Sequence, residues 1–239
     1  MPRMNVNCIG TSVLGRRHAK CGAPNQDAWG HYRSPSGHLA VVCDGVGSCE
    51  LSHLGSRAAC AAVREVARTI TRDSELASFG RLVEQAWLDK LPPGDVGRFA
   101  TTCLFTLRLR SGRVVTGGVG DGLAAMGAVG SGCSKLVELN GGDFGETCAL
   151  GGGGGARAWR QDEADDSEGG VWALLATDGL SNDLAVDRLG HFADWLIERV
   201  GPLSARRQAM LLRSQLGRTR LGGGSDDQTF ALQWSCNHG

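Results

Sequence analysis

Two short apolar runs, HLAVVC at 38–43 and VWALLA at 171–176, come to a stop at Asp-Gly steps, Asp44-Gly45 and, one residue later, Asp178-Gly179. Runs of this length, β-branched and bounded by turn residues, read as buried strands. A carboxylate at the end of a buried strand is held rigidly yet can face a cleft. A glycine beside it lets the backbone turn sharply and leaves room for an ion or a water.

The remaining periodicity surrounds these two strands with more of the same. Residues 4–13 alternate as a strand, and 52–70 and 74–90 carry apolar residues at helical spacing. Thr101–Leu109 and Val114–Val119 form a hairpin across Ser111-Gly112, followed by short strands at Leu123–Met126 and Leu136–Leu139. Residues 187–200 and 204–216 are helical, Gly222–Gly224 is a turn, and Gln228–Trp234 is a last strand. The glycine run 151–155 and the acidic stretch 161–170 read as a flexible surface loop over 151–170, with no Gly-Lys-Ser/Thr to make a phosphate-binding loop. Strands and helices come in groups rather than in strict alternation, which argues against a doubly wound parallel sheet. The expectation is an α+β fold, two packed antiparallel sheets with helices outside, in a single domain over 1–239.

Composition narrows the function classes. The 25 basic residues balance the 25 acidic ones, so nothing suggests a nucleic-acid partner or an acidic membrane surface. No stretch approaches the roughly 18 apolar residues of a membrane span. The start of the chain shows no signal peptide, and the nine cysteines are scattered without a C-x-x-C pair, as in a cytoplasmic protein with reduced thiols.

Three more aspartates occupy comparable positions. Asp27 lies in NQDAWG, Asp121 in GGVGDG after a strand, and Asp226 in GGGSDDQTFAL before one. Carboxylates gathered at one spot repel each other unless a cation sits among them. Oxygen ligands of this kind suit Mg²⁺ or Mn²⁺ rather than zinc. Taken alone, an Asp-Gly is far more often a turn than a ligand.

The order of the words NQDAWG, VVCDGVGS, FATTCLFTL, GGVGDG, LLATDGLSND and GGGSDDQTFAL resembles the metal-dependent protein phosphatases, the PPM or type 2C family, over about residues 9–232. The forms QDA, DGVGS and SHLGSR resemble a bacterial subgroup of it. The resemblance implies a four-layer α-β-β-α sandwich with its metals at one end, between the sheets. It implies that Asp44 bridges two Mn²⁺ or Mg²⁺ ions, that the Gly45 carbonyl is a ligand, and that Asp178 and Asp226 hold one ion. Asp27 holds the other, directly or through water, and Asp121 with Asp178 holds a third, weaker ion. Thr101 and Thr102 match a small polar pair with a structural role, and Asp227 stands where the family usually has Asn.

Three departures bear on catalysis. The phosphate-gripping Arg of many members is replaced by Gly22, the Glu before the first Asp by Gln26, and the His after the bridging Asp-Gly by Val46. Arg16, Arg17, His18 and Lys20 are candidate replacements for the grip, with Arg17 carried forward, and His53 is a candidate acid. The implied activity is hydrolysis of phosphoserine and phosphothreonine in proteins by a metal-activated water, with a cognate Ser/Thr kinase as counterpart. A catalytically weak module that binds a phosphoprotein or kinase is the rival reading, and a small-phosphoester hydrolase is a third. The C-x5-R loop of a cysteine phosphatase is absent.

Overall fold

The computed structural model describes residues 5–70, 73–139, 148–152, 158–166, 170–216 and 226–236. In chain order the elements are β1 (Asn5–Val13), α1 (Arg16–Cys21), β2 (Ala28–Ser34), β3 (Gly37–Cys43), α2 (Ser52–Thr69), α3 (Phe79–Leu88), β4 (Cys103–Leu109), β5 (Arg113–Val119), β6 (Leu123–Ala128) and β7 (Lys135–Leu136). Then follow β8 (Arg160–Asp165), β9 (Val171–Ala176), α4 (Asp178–Ser181), α5 (Leu189–Trp195), α6 (Ala205–Leu216) and β10 (Gln228–Cys236).

The strands form two five-stranded antiparallel sheets, ordered β1-β10-β9-β6-β7 and β2-β3-β4-β5-β8. Alternation along each strand supplies two buried faces. On β3, Leu39, Val41 and Cys43 pack under α2 and α3, while Ala40 and Val42 face the other sheet. On β10, Phe230, Leu232 and Trp234 lie under α5 and α6, while Ala231 faces inward. Three apolar layers therefore separate four structural layers, as the α-β-β-α expectation requires.

Three elements had no signal in the sequence reading, α1, β2 and α4. All are short and mixed in polarity, so no period stands out. The surface loop expected at 151–170 contains strand β8, which pairs with β5 along its whole length. Its polarity is that of an edge strand: ion pairs Arg113–Glu163 and Lys135–Asp162 tie it down. The helix expected at 74–90 is a 3₁₀ turn, Asp73–Ser78, leading into α3. That at 187–200 divides into a 3₁₀ turn (Val186–Arg188), α5 and a π turn (Leu196–Val200). The strand expected at 136–139 is the two residues of β7, and Gly222–Gly224 lies outside the described residues.

The registers decide where chemistry can happen. Ala28 faces Cys43, Cys103 faces Val119, and both Leu123 and Phe230 face Ala176. The start of β2, the end of β3, the start of β4, the end of β5, the start of β6, the end of β9 and the start of β10 thus meet at one end of the sandwich. The aspartates read from the sequence flank these strand ends.

Candidate metal centre

Asp44 follows β3, and its backbone is fixed from β4's side. Thr101 Oγ1 donates to Asp44 O at 2.8 Å, Thr102 N donates to the same oxygen at 2.7 Å, and Asp44 N donates to Thr102 Oγ1 at 3.0 Å. The threonine pair is a clamp on the Asp44 peptide. Gly45 N donates to Gln26 O at 3.2 Å. A Cβ on Gly45 would lie 2.8 Å from Ser52 Cβ and 2.9 Å from Gln26 O, so only glycine fits between the start of α2 and the segment leading to Asp27.

Asp27 precedes β2 and is buried. Thr177 Oγ1 donates to its Oδ2 at 3.0 Å, while its Oδ1 is buried without a hydrogen-bond partner. Burial, the largest cause, pushes the Asp27 carboxyl up to about 7. The Asp44 carboxyl is held well above the usual range by burial first, then by the like charges of Asp27 and Asp178. Asp27 and Asp178 therefore both lie close to Asp44. Asp178 opens α4 behind its N-cap Thr177. A Cβ on Gly179 would lie 2.1 Å from Asp227 O and 3.4 Å from Asp226 Cβ, which brings the Asp226-Asp227 pair against the Asp178 turn. Asp121 is exposed on the β5–β6 connection, where Gly120 backs onto Thr102.

Neighbouring carboxylates, two of them with raised proton affinity and one with a buried oxygen that has no hydrogen-bond partner, are a donor set short of positive charge. A divalent cation with oxygen preference supplies it. The residues present fit such ions.

The candidates for substrate contact separate. Arg17 is exposed on α1, and its Nη2 lies 3.5 Å from where a Gly47 Cβ would be, beside the turn that follows Asp44. His18 is buried instead, with Nδ1 3.0 Å from Asp227 Oδ2, so it does not reach outward as the sequence reading allowed. His53 is partly buried in the first turn of α2, next to the Ser52 that packs on Gly45. Sequence reasoning missed Thr177, whose hydroxyl orients Asp27. It also undervalued Asp227, which is 2% exposed and accepts Gly15 N and Gln26 N at 2.7 Å each. The signal for Asp227 was there in the Asp-Asp pair, but turn chemistry explains such a pair equally well.

Two facing antiparallel sheets thus carry a group of carboxylates at one end. The model of the family described as protein phosphatase 2C matches residues 14–218, and the chain belongs to that family. No curated protein matches the sequence. Among solved structures, the catalytic domain of the serine/threonine protein phosphatase PstP in complex with two manganese ions aligns with a TM-score of 0.67 at 17% identity, covering 98% of this chain and 100% of that one. The Mycobacterium tuberculosis serine/threonine phosphatase PstP/Ppp aligns at 0.66 and 16%, covering 98% and 99%. RsbX in complex with magnesium aligns at 0.59 and 14%, covering 99% and 100%. At these identities the likeness concerns the fold. No helix among the described residues is long and apolar enough to cross a membrane.

Proposed function

We propose that the chain is a metal-dependent protein phosphatase that hydrolyses phosphoserine and phosphothreonine. The observation that carries this reading is the buried Asp27 Oδ1, without a hydrogen-bond partner, close to Asp44, which Asp178 also neighbours. Asp44 would hold both of two Mn²⁺ or Mg²⁺ ions and the Gly45 carbonyl would be a further ligand, with Asp178 and Asp226 on one ion, Asp27 on the other, and Asp121 with Asp178 on a weaker third. When bound, the ions supply a water acidified for attack on phosphorus and neutralise phosphate oxygens.

The protein's own residues do the rest. Thr101 and Thr102 fix the Asp44 peptide, and Thr177 fixes Asp27, so the carboxylates need no reorganisation during the reaction. Arg17, beside the Gly47 turn, binds the phosphate with its planar fork and takes the place of the Arg that Gly22 lacks. His53 donates the proton to the departing serine or threonine oxygen. The substrate is a phosphorylated protein, the counterpart a cognate Ser/Thr kinase, and the setting cytoplasmic bacterial signalling.

The test is hydrolysis of p-nitrophenyl phosphate and a phosphothreonine peptide with Mn²⁺, Mg²⁺ or EDTA, wild type beside Asp44→Asn. Turnover that requires metal and disappears in the variant supports the reading. Absence of turnover in folded protein that binds Mn²⁺ favours the rival, a catalytically weak module that binds a phosphoprotein or kinase, for which Gly22 and Val46 at the usual Arg and His positions speak.

A further inference from the structure

Donor atoms of His18, Asp226 and Asp227 lie within 4.8 Å of one another, the geometry of a three-ligand cation site. The Asp227 oxygens are already occupied, however. Gly15 N donates to Oδ1 at 2.7 Å, Gln26 N donates to Oδ2 at 2.7 Å, and His18 Nδ1 lies 3.0 Å from Oδ2. A cation at Asp227 would sit against two backbone N–H groups that point their positive ends at the same carboxylate.

The three contacts share another property. They come from the beginning, middle and end of one segment, 15–26, which contains α1 and runs directly into Asp27. The segment is also held by Asn25 Nδ2, which donates to Ser12 Oγ at 2.8 Å, and by Gln26 O, which accepts Gly45 N at 3.2 Å at the metal-site turn, where Gly47 lies beside both Arg17 Nη2 and Gln26 Oε1. Carboxylate and imidazole are both nearly closed to water, with side-chain exposures of 2% and 7%. A carboxylate accepts from every direction these donors come from. Asparagine, usual here in the family, would turn an NH₂ group toward at least one of them.

We propose that Asp227 and His18 are positioning residues: a latch that fixes segment 15–26 and so presents Arg17 to the substrate phosphate. Its catalytic consequence rests on the phosphatase reading; its structural half does not.

The experiment is a double-mutant cycle with an independent structural readout. kcat/KM on a phosphothreonine peptide at saturating Mn²⁺ is measured for wild type, Asp227→Asn, Arg17→Ala and the double variant, beside His18→Ala and His18→Asn. Amide hydrogen exchange is followed over 15–26. Each of Asp227→Asn and Arg17→Ala is expected to lower kcat/KM by about 10- to 100-fold, the loss of a charge-assisted contact. The double variant should fall no more than about 2-fold below the weaker single one, because both remove the same interaction. His18→Asn, which keeps a donor near the position of Nδ1, should recover most of what His18→Ala loses. Exchange in 15–26 should accelerate in Asp227→Asn while β3 and β9 stay protected. Multiplicative losses in the double variant overturn the proposal, since Asp227 would then act by another route. Unchanged exchange in 15–26 overturns it too. A wild type without turnover refutes the phosphatase reading instead, and the exchange result alone then decides the latch.

Discussion

At the end of the sandwich away from the carboxylates, the two sheets are joined by a buried charge. Arg108 of β4 is 1% exposed and pairs with Asp166, just past β8. The guanidinium also donates to Gln233 Oε1 of β10 at 3.3 Å and to Val171 O of β9 at 3.0 Å. Asp166 Oδ1 accepts Val171 N at 2.9 Å and Ser235 Oγ at 2.7 Å. Burial lowers the Arg108 pKa and the Asp166 charge opposes that shift. Asp166→Ala would leave the guanidinium without its counter-charge and strand the Val171 N–H and the Ser235 hydroxyl. Breaking one side of such a pair costs about 3–5 kcal/mol. Against a total of about 5–15 kcal/mol that is a large share. For a chain of this size it lowers Tm by roughly 6–20 °C, at about 2–4 °C per kcal/mol. Replacing both partners, Arg108→Met with Asp166→Leu, removes the unpaired charge and should recover part of the loss, while the Val171 N–H and the Ser235 hydroxyl stay stranded. Urea unfolding gives the comparison through the midpoint at constant m. An Asp166→Ala loss below about 1 kcal/mol, or a double variant less stable than the single, would refute the reasoning.

Other consequences follow from single residues. Gly55 lies within α2, where alanine would ordinarily gain about 1 kcal/mol. Its Cβ would sit 1.8 Å from Phe99 O, so Gly55→Ala should lower the urea midpoint rather than raise it. His38, stacked on His31 between the sheets, has its pKa lowered to about 4 by burial first, then by His31, Arg33, Arg108 and Arg110. Between pH 6.5 and 4 the unfolded chain takes up the proton and the folded one does not, so stability is lost as pH falls through that window. The ring is partly exposed, and solvent screening leaves about 1 kcal/mol or less of this; His38→Gln should flatten the pH 4–7 urea profile by that amount. Asp121→Asn should reduce turnover while calorimetry still finds the two principal ions bound.

The parts of the fold legible in the sequence were those with one clear period. HLAVVC and VWALLA are central strands buried on both faces, and α2 shows its apolar stripe. Strand β8 was not legible because five of its six residues, RQDEAD, are polar or charged, which resembles a loop in composition. α1 was hidden for a different reason. It is six residues long, and what holds it is Asp227, more than two hundred positions away. The candidate aspartates were singled out by their place at strand ends, a local property. Their supports, Thr177 on Asp27 and Asp227 on segment 15–26, act across the sheets and leave no local pattern.

The central claim is that the aspartates hold divalent ions that they share through Asp44. Titration of wild type and Asp44→Asn with Mn²⁺ by calorimetry at pH 7.5 tests it most directly. Two ions are expected to bind the wild type, and both high-affinity sites to be lost in the variant, with the fold intact by circular dichroism. Equal binding by both proteins would contradict it.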